Sequence, residues 1–89
     1  MVYFALEPAA AVEAIHLSKE VGCAVWVGSD AITEEQLKQL SQDGHNITRF
    51  SHPLGNAANK DIAFDLATIE EHHPNEIIWV QYKADNNPA

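Results

Sequence analysis

A run of four apolar residues followed by a helix start constrains the fold more than any other stretch of the chain. Ala24–Val27 are all apolar, which is typical of a strand buried on both faces, as in a parallel sheet. Thr33 follows, with Gln36 three residues later, a spacing that predicts a capping box at a helix start. Ile32 and Leu37 flank this start as a hydrophobic staple. The stretch therefore predicts a strand, a short turn and a helix.

The same alternation recurs along the chain. Apolar runs predict strands at residues 2–6 and 76–82, and a mixed polar and apolar run predicts one at 46–51. Helical patterns occupy residues 9–21 and 60–73, and the helix that Thr33 opens is predicted to end at Gly44. The last of these helices is expected to bury a stripe of apolar residues: Ile62, Leu66 and Ile69, broadened by Ala63, Phe64 and Ala67.

The element order β-α-β-α-β-α-β predicts one small α/β domain over residues 1–83, with a disordered tail at 84–89. A helix in every crossover predicts a four-stranded parallel sheet with helices on both faces. Arg49, in the middle of the third strand, marks an edge, and this favours the strand order 3-2-1-4 over the alternative 2-1-3-4.

Three helices are too few to cover this sheet. The order 3-2-1-4 leaves one face to a single helix, about 10 Å across, and part of that face is expected to be bare. The last strand would be an apolar edge containing Ile78, Trp79 and Val80. Core packing is expected for Trp26 and Trp79, with Trp79 the better candidate for an interface. The bare part of the sheet face and the apolar edge strand would both be covered by a second copy of the chain, so the sequence predicts a homodimer.

The charge balance restricts the partners. Thirteen acidic and five basic residues give a formal charge of −8, which disfavours direct binding to nucleic acid or to an anionic membrane. No apolar run approaches the roughly 20 residues that a membrane span needs. The single cysteine, Cys23, permits no internal disulfide, which favours a cytoplasmic location. It starts an apolar strand, so inert packing is expected for it.

Polar residues follow the predicted strands where a parallel sheet would bring them to one rim. The side chains of a hydrolytic site are all present among them: the carboxylates of Glu7 and Asp30, the hydroxyl of Ser29 and the imidazole of His52. Ser29 would be the nucleophile and His52 the base, with Asp30 or Glu7 as the orienting acid. Serine and aspartate are also ordinary residues of strand–helix turns, and the Gly-x-Ser-x-Gly pattern is absent.

The turn Gly28, Ser29, Asp30 could also bind an anion through its amides. No phosphate-loop motif supports that interpretation, and the carboxylate of Asp30 would oppose it. No cofactor or metal is predicted, because the chain has no cysteine pair and no His-Glu-x-x-His. A metal held by Glu7, Asp30 and His52 is the alternative left open.

The absence of a complete catalytic signature favours a non-enzymatic, acidic protein-interaction or regulatory domain, such as an inhibitor, a regulator or an accessory subunit, with a protein partner. The alternative is a small hydrolase or anion-binding protein whose site lies at the carboxyl ends of the strands. A third hypothesis is a nucleic-acid mimic.

Overall fold

The computed structural model describes residues 1–55 and 59–81, and places four strands and three helices in them. The strands are β1 (Val2–Ala5), β2 (Ala24–Val27), β3 (Ile47–Arg49) and β4 (Ile78–Val80), and the helices are α1 (Pro8–Val21), α2 (Glu34–Gln42) and α3 (Asn59–His72). All strand pairs are parallel, in the order β3-β2-β1-β4. The predicted α/β class and the order 3-2-1-4 are confirmed, and 2-1-3-4 is wrong. The predicted tail lies outside the described residues.

Local signals place the helix ends. Thr33 Oγ1 accepts a hydrogen bond from Gln36 N at 3.1 Å, and Gln36 Oε1 accepts one from Thr33 N at 2.8 Å, so the predicted capping box is confirmed. Gly22 ends α1 in the left-handed conformation, with φ of 69°. Helix α2 ends at Gln42, two residues before the predicted stop at Gly44.

The sheet has a hydrophobic core on each face. One core joins α3 to residues from β1, β2 and the segment after β3: Val2, Phe4, Leu6, Ala24, Trp26, Leu54 and Ile69. The other joins α1 and α2 to the opposite sheet face and contains Ala5, Ala11, Ala14, Val25, Val27, Ile32 and Ile47. Two helices therefore cover one face and one helix covers the other.

The apolar stripe of α3 is narrower than predicted. Ile69 is buried and Ile62 and Leu66 are half-buried, but Phe64 is 75% exposed, and Ala63 and Ala67 are exposed too. The expectation that Ala63, Phe64 and Ala67 broaden the stripe was wrong. Inward positions on a helix recur every three to four residues, so the stripe passes through residues 62, 65, 66 and 69.

Within the sheet, the exposed large apolar side chains lie on the edge strand β4, and other exposed apolar side chains lie on α1 and α3. Phe4 and Trp26, on that face, are only 1% and 6% exposed. Val80 pairs with Phe4 and is 40% exposed on the same face, whereas Trp79 pairs with Tyr3 and is 54% exposed on the other. The expected core packing of Trp79 was wrong, because α1 packs mainly over β1 and β2 and leaves the Trp79 side chain largely exposed.

Candidate functional site

The polar residues after the strands reach the carboxyl rim of the sheet, but they bind different neighbours. Ser29 N donates to the carbonyl oxygen of His52 at 3.0 Å, so these two residues are joined through the main chain. Glu7 lies toward the β4 edge of the sheet, where its Oε1 accepts a hydrogen bond from Gln81 Nε2 at 2.8 Å. Gln81 Oε1 in turn accepts from Leu6 N at 2.6 Å and Glu7 N at 2.9 Å. Glu7 is thus held by the end of β4 rather than by His52.

Asp30 anchors the segment that follows β3. Its Oδ1 accepts from Leu54 N at 3.1 Å and its Oδ2 from Gly55 N at 3.0 Å. The side chain of Leu54 is fully buried in the core on the α3 face. A Cβ on Gly28 would stand 2.9 Å from Leu54 N, so glycine is needed where these connectors approach each other. Asp30 therefore positions a connector, a role that sequence reasoning did not assign to it.

Arg49 holds the connector between β2 and α2. Its Nε donates to the carbonyl oxygen of Ile32 at 2.8 Å, and its Nη2 donates to that of Ser29 at 2.9 Å. The guanidinium also lies 3.8 Å from a carboxylate oxygen of Glu34. Sequence reasoning used Arg49 only to mark an edge strand; the signal for this role was a single cation in an otherwise uncharged strand.

His52 pairs with an acid that the sequence did not single out. His52 Nε2 lies 2.7 Å from Asp65 Oδ2, and Asp65, on α3, is only 3% exposed. A carboxylate oxygen accepts, so Nε2 donates, and Nδ1 of the neutral ring carries no hydrogen. The side chain of His52 is 47% exposed. The acid in contact with His52 is thus Asp65 rather than Asp30 or Glu7, and its sequence signal was a charge within the apolar stripe of α3.

The Gly28, Ser29, Asp30 turn uses the amide of Ser29 within the fold, and the next residue, Ala31, does the same. Ser29 N donates to His52, and Ala31 N donates to the carbonyl oxygen of Gly28 at 3.2 Å. An anion would have to displace these hydrogen bonds and approach the carboxylate of Asp30. Among the described residues, no three histidine, cysteine or acidic side chains come together to hold a metal ion, so Glu7, Asp30 and His52 do not form the alternative metal set.

His73 links the core to the surface. Its Nε2 accepts from Trp26 Nε1 at 3.2 Å, because an indole nitrogen only donates. Its Nδ1 therefore carries the hydrogen and donates to Glu76 Oε2 at 2.7 Å. Glu76 Oε1 also accepts from the amino terminus of Met1 at 2.8 Å. The amino-terminal ammonium, and after it His73, lower the pKa of the Glu76 carboxyl from 4.5.

The predicted interface residues lie on the open edge of the sheet. Trp79 and Val80 are exposed, as is Ile77 before them, whereas Ile78 is half-buried against the core on the α3 face. Ile77 accepts from Val2 N and Gln81 N donates to the carbonyl oxygen of Phe4, each at 2.9 Å. Along a strand, the main-chain N–H and C=O groups of successive residues point alternately to one neighbour and to the other. Since residues 77 and 81 point toward β1, the groups of residues 78 and 80 point away from it.

No family model, curated protein or solved structure matches the chain. The helices in the described ranges are too short or too polar to cross a bilayer.

Proposed function

We propose that the protein is a non-enzymatic, acidic interaction domain that forms a homodimer through β4 and acts in the cytoplasm as a regulator, inhibitor or accessory subunit. The observation that carries this proposal is the 54% exposure of Trp79 on an edge strand. Large exposed aromatics on a sheet edge are a liability for a monomer and a common anchor of protein contacts.

The chemistry of β4 suits a second copy of the same strand. Two β4 strands related by a twofold axis would run antiparallel and exchange hydrogen bonds through the main-chain groups of Ile78 and Val80. A three-residue strand offers few such bonds, so Trp79 and Val80 supply the apolar contact. Residues 77–81 carry no charged side chain, so the two paired strands would not bring like charges of their own together.

The rim supports an interaction domain better than an enzyme. Glu7, Asp30 and Arg49 each bind groups of a neighbouring connector, so their polar atoms stabilise the fold. The acidic surface that remains after dimerisation would attract a basic protein partner, because complementary charge speeds and orients association.

A mass measurement with two matched variants tests the dimer. Sedimentation equilibrium at micromolar concentration should give twice the 9.8 kDa of one chain. Trp79→Gln should give a monomer, because the anchor is lost while the cores are untouched. Phe64→Gln removes an aromatic that is 75% exposed on α3 and should remain dimeric. A monomeric parent protein, or equal loss of dimer in both variants, would contradict the proposal.

A second candidate, a small hydrolase, is favoured by the His52–Asp65 pair, in which a buried carboxylate orients an exposed imidazole. The test is hydrolysis of an activated ester, such as 4-nitrophenyl acetate. His52→Gln and Asp65→Asn should both lower the rate, and His16→Gln, on the exposed side of α1, should not. If His52→Gln and Asp65→Asn both hydrolyse the ester as fast as the control His16→Gln does, the hydrolase candidate is wrong.

A further inference from the structure

We propose that the groove between α1 and α2 binds an amphipathic carboxylate, a molecule with an apolar body and one anionic head. This open groove, called here the α1–α2 groove, has a volume of about 520 Å³ and lies between Val12, Ile15 and Lys19 of α1 and Ile32, Leu40 and His45 on the α2 side. This volume falls within the roughly 300–1,000 Å³ typical of small-molecule sites. None of the β4 residues lines it, so this inference is independent of the dimer.

The floor of the α1–α2 groove is apolar. Ile32 is buried, Ile15 and Leu40 are half-buried, and Val12 adds a side chain that is 56% exposed at the mouth. Such a surface favours the removal of an apolar body from water.

The polar lining contains one cation and no acid. It consists of Lys19, His16, His45 and two glutamines, and no aspartate or glutamate belongs to it. The chain as a whole has thirteen acidic and five basic residues, so a lining without acids differs from the rest of the surface. This local charge complementarity is the reason to assign an anionic head to the ligand.

The ring of His45 is oriented by Ser18. Ser18 Oγ donates its one hydrogen to the carbonyl oxygen of Ile15 at 2.7 Å, so in its 3.3 Å contact with His45 Nδ1 it accepts. Nδ1 therefore carries a hydrogen, and Nε2 lies on the side of the ring away from Ser18. The Ser18 contact thus fixes the orientation of the His45 ring in the lining of the α1–α2 groove.

The positions on α1 set the length of the ligand. Val12, Ile15, His16 and Lys19 are spaced i, i+3, i+4 and i+7, so they share one face of the helix. Val12 and Lys19 are separated along the axis by about 10 Å, at 1.5 Å per residue. An apolar body of that length would lie over Val12 and Ile15 with its carboxylate at Lys19. A medium-chain fatty acid fits this description.

Amide NMR titration with octanoate tests the site, and the chain offers matched controls. Octanoate should shift signals of residues 12–19 and 36–45. Lys19→Gln should weaken binding about threefold, the effect of one solvent-screened ion pair, whereas Lys38→Gln should not. Val12→Gln should weaken binding more than Val21→Gln, because both valines are similarly exposed on α1, at 56% and 55%, but only Val12 lines the groove.

Four results would overturn the inference. The first is the absence of shifts at these residues, and the second is equal binding of octylamine, which carries the opposite charge. The third is an equal effect of a groove variant and its control. The fourth is a shift of the same signals on dilution without octanoate, which would assign the groove to a second copy of the chain.

Discussion

At Asp30, one carboxylate accepts hydrogen bonds from two main-chain amides, those of Leu54 and Gly55. Asparagine has only one side-chain oxygen, so Asp30→Asn would turn an amide donor toward one of these N–H groups. We expect the free energy of unfolding to fall by about 1–3 kcal/mol, the usual cost of a lost partner. Urea unfolding measures this, with Asp43→Asn, at the exposed end of α2, as the control. Equal stability of the two variants would contradict the anchoring role.

The lowered pKa of Glu76 predicts a pH dependence of stability. The folded pKa lies below the unfolded value of 4.5, so the contribution is present above about pH 4.5 and is lost as the pH falls through the folded pKa. Glu76→Gln should therefore be less stable than the parent at pH 7 and equally stable in more acidic solution. Thermal unfolding across this range, with Glu20→Gln as control, would show it. A difference that persists unchanged into acid would contradict the assignment.

At the scale of elements, α2 depends on its cap more than on burial. Its nine residues include no fully buried side chain, and the capping box satisfies its first amides. Thr33→Ala should cost about 1 kcal/mol in the free energy of unfolding. Ser41→Ala, at an exposed position in the same helix, is the control. The prediction fails if chemical denaturation gives both variants the same midpoint and slope.

Elements set by neighbouring residues could be predicted from the sequence. The β2 run and the Thr33–Gln36 box are each recognisable within four consecutive residues, and both predictions were correct. Among the described residues, the strand predicted at 76–82 pairs over Ile78–Val80, and it starts at Ile78 because its partner β1 starts at Val2, opposite Ile78. The extent of pairing is thus set by the neighbouring strand and cannot be predicted from the apolar run itself.

For the whole molecule, topology could be predicted, but the partners of the rim residues could not. Strand order decides that Glu7 meets Gln81, because β1 lies beside β4. The contacts of Arg49 with Ser29 and of His52 with Asp65 join separate connectors and helices. No spacing in the sequence encodes these pairs, and for this reason the contact of His52 with Asp65 was not predicted.

The dimer through β4 is most directly tested by hydrogen exchange at the amides of Ile78 and Val80, which face away from β1. The account predicts that both amides are protected at high protein concentration, and that dilution or Trp79→Gln removes the protection while Trp26, in the central strand β2, remains protected. Fast exchange of Ile78 and Val80 at every concentration would contradict it.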